Sequence, residues 1–234
     1  MGQQAIVTGG GSGVGRAVAL RLARQGCHVA VLGQQLHALR ETAALAADGM
    51  ILPASCDVTD PLAVEHVRDR LMSVWDGVDA IVNAAGTNVP RRSLADVSVE
   101  DFTRVLEVNF LGAFHVIHAF LPFMRGRDRA TIVNIASDAG LVGNAKAGAA
   151  YVSSKFAMSG LIESINAELR AEGIRGTAVY PGDIDTSFLD KRPVPPDATA
   201  RAAMLQAEDV AECVMLAINL PHRAVLEKLV VRPR

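Results

Sequence analysis

Short uninterrupted apolar runs recur along the whole chain, and nearly every one is followed by a stretch of helical periodicity. The runs are AIVTGG, HVAVLG, MILPASCDV, DAIVNAAG, ATIVNIAS, GTAVYPG and KLVVRP. None alternates apolar with polar residues, so each reads as a strand covered on both faces, the habit of parallel sheets. Between the early runs lie VGRAVALRLARQG, closed by Gly26, and LHALRETAALAA. A third helix runs from the N-cap Asp60, with Pro61 at its first position, to about Trp75. A long helix starts near Ser98, where SVED resembles a capping box, and runs towards Met124. Another carries Tyr151 and ends at Gly173, and a last one spans about Ala207 to Leu220. Alternation of this kind predicts an α/β fold, a doubly wound parallel sheet of about seven strands with right-handed crossovers.

At 234 residues the chain suits one domain, 1–234, with a substantial core. No composition shift or internal repeat marks a boundary. One long irregular segment, Ser187 to about Met204, holds Pro193, Pro195 and Pro196. Such a segment is either a substrate loop or a surface excursion, and both readings stay open. The formal net charge of -2 gives no reason to expect a nucleic-acid or membrane partner, and no apolar run reads as a bilayer span. MGQQAIVTGG goes straight into a strand-like run, so a cytoplasmic location is expected. Cys27, Cys56 and Cys213 are far apart and read as reduced thiols. His115 and His118 could share a helix face, but no histidine shows metal-ligand spacing, and no metal is expected.

The segment TGGGSGVG, Thr8 to Gly15, lies between the first strand and the first helix. A helix N-terminus offers free N–H groups and partial positive charge to a phosphate, and glycines let the phosphate approach the backbone. The spacing is G-x-x-x-G-x-G on Gly9, Gly13 and Gly15, with Gly11, Ser12 and Val14 between them. It is neither G-x-G-x-x-G nor a Gly-Lys-Ser/Thr phosphate loop. Further on, Tyr151 and Lys155 in YVSSK stand about one helical turn apart and share a face. A phenol beside an ammonium could serve as an acid or base. An isolated tyrosine on an apolar helix is more often core, and an isolated lysine more often solvated.

The motifs together decide between these. In order along the chain they resemble those of the short-chain dehydrogenase/reductase family, in its compact form, and the likeness covers nearly the whole chain. The resemblance implies a Rossmann-like sheet and hydride transfer between a nicotinamide cofactor and a small alcohol or carbonyl. It implies that the glycine loop, from Thr8, holds the cofactor. In CDV, Asp57 would bond the adenine ring, with Val58 beside it. In NAAG, Asn83 would steady the sheet while Ala84, Ala85 and Gly86 line the cofactor. In PGDIDT, Pro181, Gly182, Ile184 and Thr186 would contact nicotinamide. The catalytic set would be Asn109, Ser137, Tyr151 and Lys155. Tyr151 would act as acid/base, lowered by the Lys155 charge, and Lys155 would also bond the ribose. Ser137 would orient the substrate oxygen. Asn109 would bend its helix and hold a water linking Lys155 to solvent. Family members assemble as homodimers or homotetramers through the helices near Ser98 and Tyr151.

Cofactor choice is usually set after the second strand, where a carboxylate favours NAD and an arginine NADP. Here Gly33 and Gln34 occupy those places, and Ser12 is not basic. The reading leans slightly to NADP, with NAD also usable. Substrate-facing segments are Thr87–Arg92, Asp138–Leu141 and the Ser187–Met204 loop. Arg91, Arg92, Lys146, Lys191 and Arg192 lie in or near them, and are either a basic rim for an anionic substrate or independent solvated charges. A non-catalytic NAD(P)-sensing protein on the same fold is the competing reading of the whole chain.

Overall fold

The computed structural model describes residues 2–234. In chain order the elements are β1 (Gln4–Thr8), α1 (Gly13–Arg24), β2 (His28–Gly33), α2 (Leu36–Ala44), β3 (Ile51–Ser55), α3 (Pro61–Met72) and β4 (Ala80–Asn83). There follow α4 (Val99–Leu106), α5 (Gly112–Phe120), β5 (Thr131–Ile135), α6 (Ala149–Leu169), β6 (Arg175–Pro181), α7 (Ala198–Ala202), α8 (Ala207–Asn219) and β7 (Lys228–Val231). The strands form one sheet in the order β3-β2-β1-β4-β5-β6-β7, and every pairing is parallel.

Neighbouring residues on each strand face opposite cores, which is why the runs are continuously apolar. Ile6, Leu32, Ile81 and Ile132 pack on one side with Phe120 and Ile162. Val7, Val31, Val82 and Val133 pack on the other with Val18 and Val214. The chain builds outward from β1 in one direction and then, from β4, in the other, so the C-terminal ends of these two parallel strands open a crevice. Ligands of doubly wound sheets settle at such a switch point.

Helix boundaries follow their caps. Asp60 accepts from Leu62 N at 2.9 Å, and Ser98 Oγ from Asp101 N at 3.0 Å. Of the expected capping box at SVED, the structure forms the serine half; a complete box stands instead at α8, between Gln206 and Asp209. The long helix expected from Ser98 is continuous but not uniform. A π turn, Glu107–Leu111, joins α4 to α5, and a 3-10 turn extends the rod to Phe123. At 25 residues, Val99–Phe123 is long and apolar enough to cross a membrane, which corrects the expectation that no segment is. Its apolar face is committed to the core, with Val105, Val116, Ile117 and Phe120 buried.

The 187–204 segment is not a bare loop. It contains a 3-10 turn at Ser187–Lys191 and the helix α7, capped by Asp197. Arg201 pins it by pairing with Asp185 and Asp190.

Candidate active site

The glycine turn is built as a cradle. Gly9 and Gly13 have φ of 66° and 50°, in the left-handed region. A Cβ on Gly15 would come within 2.3 Å of Gly9 O, so only glycine allows the chain to fold back this tightly. Thr8 Oγ1 accepts from Ala84 N at 3.1 Å and Ala85 N at 3.0 Å, tying the turn to the end of β4. Ser12, at the N-cap of α1, gives no side-chain cap, so among the described residues the first N–H groups of the helix have no side-chain acceptor. Sequence reasoning missed the braces of this turn. Thr42 on α2 donates to Gly10 O at 2.9 Å, and Arg16 donates to Thr42 Oγ1 at 3.0 Å and to Gly11 O.

A cleft of about 490 Å³ runs from this turn along the ends of β4, β5 and β6. From the turn it is lined by Gly9, Ser12, Gly13 and Val14, and from β4 by Ala84, Ala85 and Gly86. Ser137, Tyr151 and Lys155 line it deeper in, facing Pro181, Gly182, Ile184 and Thr186. Thr8, Gly11 and Gly15 support it from behind. Gly33, Gln34 and Asp57 lie beyond it at the same edge of the sheet. Gln34 Nε2 donates to Asp57 Oδ2 at 2.8 Å, and Thr59 N and Oγ1 donate to Oδ1 at 3.0 and 2.8 Å. Burial opposes ionisation of Asp57, but these hydrogen bonds and the Arg104 charge hold it below the usual carboxylate range. Val58 is a packing residue, buried where α5 approaches at Gly112.

Asn83 and Asn109 also sit behind the cleft wall. Asn83 Nδ2 donates to Asn134 Oδ1 at 2.9 Å, joining β4 to β5, while its buried Oδ1 has no partner among the described residues. Asn109 occupies the π turn, a feature frequent at functional sites. It is fully buried, accepts from Thr87 N at 2.7 Å, and donates to Thr87 O and Ser154 Oγ, both at 3.0 Å. Its helix is therefore tied to both the β4 loop and α6.

The start of α6 brings the deeper groups together. Gly148 is its N-cap, with φ 83°, and a Cβ there would meet Arg92 O at 2.3 Å. One turn on, Lys155 Nζ stands 5.4 Å from the centre of the Tyr151 ring and donates to Ile135 O at 2.8 Å. Lys155 is 4% exposed, and burial brings its ammonium down to about 7. Burial likewise pushes the Tyr151 phenol up to about 12, against the pull of a Ser137 hydrogen bond. The nearby Asp138 adds to the rise, and the positive charges that oppose it are Arg192 and Arg92. These two guanidiniums bear on the phenol where the family resemblance pointed to Lys155. Ser137 Oγ donates to Asp138 Oδ1 at 3.1 Å and accepts from Ala139 N at 3.2 Å.

The Lys155 shift predicts a pH dependence. Its folded value is about 7 against an ordinary 10.5, so between those values the unfolded chain binds the extra proton. Stability therefore rises with pH from about 7 to about 9; above that the unfolded thiols ionise while burial keeps Cys56, raised to about 11, protonated in the folded chain, and this offsets the rise. Melting curves of the coenzyme-free protein and of Lys155→Met are expected to show this rise in the parent and a flatter profile in the variant. Parallel profiles would contradict the burial of a titrating lysine.

A second cleft, of about 680 Å³, lies between the C-terminal half of α6 and β7. It is larger but holds none of the motif residues, and its charges pair with one another, as in Lys228 with Glu163. Size does not choose the site here; chemistry does.

Fold and cleft define a Rossmann-like protein with a glycine turn beside a tyrosine, a serine and a lysine. The chain belongs to the short-chain dehydrogenase family: residues 3–194 match the family model described as short chain dehydrogenase. It is 28% identical over 232 residues to an uncharacterized oxidoreductase of Staphylococcus epidermidis, covering 98% of this chain and 96% of that one. Among solved structures, the closed form of serine dehydrogenase complexed with NADP+ superposes with a TM-score of 0.90 at 28% identity, covering 99% of this chain and 95% of that one. A short-chain dehydrogenase/reductase from Burkholderia phymatum in complex with NAD gives 0.85 at 28%, covering 98% and 88%.

Proposed function

We propose that the chain is an NAD(P)-dependent oxidoreductase interconverting an alcohol and a carbonyl on a small molecule, with Tyr151 as the acid/base. The observation that carries this reading is that Tyr151, Ser137 and Lys155 line the same cleft as the glycine turn. When bound, the nicotinamide supplies or accepts the hydride. The residues present fit such a group. The turn is shaped for backbone approach, and the uncapped N–H groups of α1 suit a pyrophosphate. The walls formed by Ala84–Gly86 and Pro181–Thr186 suit the nicotinamide half.

The chain's own part is proton handling and orientation. A phenol near 12 keeps its proton at neutral pH, the state required to protonate a carbonyl oxygen as the carbon is reduced. In the oxidising direction the same oxygen takes the hydroxyl proton, and the charges of Arg192 and Arg92 favour its ionised form. Ser137 would donate to the substrate oxygen and hold it at the phenol. Asn109 would act as a positioning residue, fixing the β4 loop against α6. With three free cysteines, the reading includes a reducing, cytoplasmic compartment. It also includes homodimers or homotetramers, for which the exposed Leu111, Phe114 and Phe156 on the long helix and α6 supply an apolar face.

For the coenzyme, the reading keeps NADP ahead of NAD. Gly33 places no carboxylate at the end of β2, and Asp57 is engaged by Gln34 and Thr59. The kcat/KM with NADPH is expected to exceed that with NADH by several-fold. Gly33→Asp is expected to lower the NADPH-to-NADH ratio by about 100-fold, because a carboxylate there repels a 2′-phosphate. A strong NADH preference in the parent would refute the order.

A further inference from the structure

We infer that the substrate is a small hydroxy or keto acid, whose carboxylate is held by Arg92 and Arg192 while its hydroxyl or carbonyl carbon meets Tyr151. This deepens the oxidoreductase reading of the cleft and rests on it.

The five basic residues of the substrate-facing segments separate in the structure. Arg91 points into solvent, while Arg92, Lys146, Lys191 and Arg192 line the cleft that holds Tyr151. Against these four cations, and apart from Lys155, stand two acidic side chains, Asp138 and Asp183. Asp183 is engaged by Arg192, and Asp138 accepts from Ser137.

Arg92 is the unusual member. It is 8% exposed, and a buried guanidinium is ordinarily matched by a carboxylate. Among the described residues no carboxylate lies within ion-pair distance of it. Its protein acceptors are backbone carbonyls: Val89 O from Nε and Lys191 O from Nη2, both at 2.8 Å. The Lys191 bond ties Arg92 to the 3-10 turn of the 187–204 segment, which Arg192 follows, and both side chains line the cleft. Burial and the Arg192 charge both work against Arg92's proton, as expected of two cations facing one space. Both Nη atoms of Arg192 are engaged with Asp183, so a substrate carboxylate would be met by Arg92 Nη1, which has no acceptor among the described residues, with the Arg192 charge close by. Arg92 and Arg192 line the same cleft as Tyr151, so an anionic group held by them leaves the rest of a small molecule within that cleft. Phe188, 6.0 Å from the Tyr151 ring, gives the short carbon chain an apolar wall.

The test compares 3-oxobutanoate with its methyl ester as substrates for the parent, Arg192→Gln, Arg92→Lys and Arg91→Gln. It also compares binding of 3-hydroxybutanoate and its methyl ester to the coenzyme-saturated Tyr151→Phe protein, by calorimetry, with and without Arg192→Gln. The parent is expected to prefer the acid by about tenfold or more in kcat/KM, the scale of a charge-assisted contact. Arg192→Gln and Arg92→Lys should reduce that acid-to-ester ratio by about tenfold, through KM, and Arg91→Gln should preserve it. An ester used as well as the acid overturns the carboxylate site and leaves the oxidoreductase reading standing. So does an equal loss in Arg91→Gln, which would reduce the effect to general surface charge. Acid binding that needs Arg192, with no turnover of any carbonyl, would uphold the anion site and remove the oxidoreductase reading. Equal binding of acid and ester removes the proposal even without turnover.

Discussion

Tyr151→Phe is expected to lower kcat by about 10³-fold or more with any carbonyl substrate, at the upper end of what one acid/base group contributes. Coenzyme affinity should stay within about threefold, because the substitution removes one oxygen and leaves the cradle untouched. The ring itself is kept. Phenylalanine can still pack near Phe188, 6.0 Å away, and under Lys155 Nζ, 5.4 Å from the ring centre. A lost rate therefore reports lost proton transfer, not a collapsed helix. Coenzyme fluorescence titration and steady-state rates on the same preparation separate the two. Ordinary turnover by the variant would take Tyr151 out of the reaction.

The largest expected loss of stability falls outside the cleft, at Arg175. This residue on β6 is buried and donates from all three guanidinium nitrogens. Nε reaches Thr131 Oγ1 at 2.9 Å on β5, and Nη1 reaches Pro221 O and Ala224 O at 2.9 and 2.7 Å. Nη2 reaches Ile218 O and Leu220 O, both at 2.9 Å. The last carbonyls of a helix lack partners of their own, and a cation suits that end of the helix. Arg175 thus closes α8 and the turn after it onto the sheet. Arg175→Met keeps much of the volume and strips these carbonyls of their donor. Leaving buried acceptors unpaired costs about 1–3 kcal/mol each, and partial rewetting reduces the total, so a loss of about 3 kcal/mol is expected. For a chain of this size that is a fall in Tm of about 6–12 °C. Arg175→Lys keeps the charge but not the fork and should fall between. A Met variant melting within about 1 °C of the parent would show that water caps α8 as well as Arg175 does.

Much of this architecture was legible in the residues because its cause is local. A strand covered on both faces must be apolar at every position, and β1, β4 and β5 announce themselves that way. The glycine turn was legible because close backbone approach excludes side chains, as at Gly15. What could not be read depends on partners distant in sequence. Arg91 and Arg92 are adjacent and chemically identical, yet only Arg92 turns into the cleft. Arg175 looks like any cation at the start of a strand until α8 folds beside it. The π turn at Asn109 leaves no trace in the periodicity, and the bend followed from family resemblance alone. In the 187–204 segment the prolines obscured α7, whose five residues are too few for a periodic signal.

The central claim is that a phenol, a serine and a lysine beside a glycine turn carry out nicotinamide-dependent carbonyl chemistry. It is tested most directly by following coenzyme absorbance with the intact protein, using NADPH and then NADH, over small ketones, aldehydes and keto acids. Steady coenzyme oxidation with at least one carbonyl, absent in Tyr151→Phe, is the predicted result. Saturable coenzyme binding with no turnover of any carbonyl would contradict it and identify a nucleotide-sensing protein.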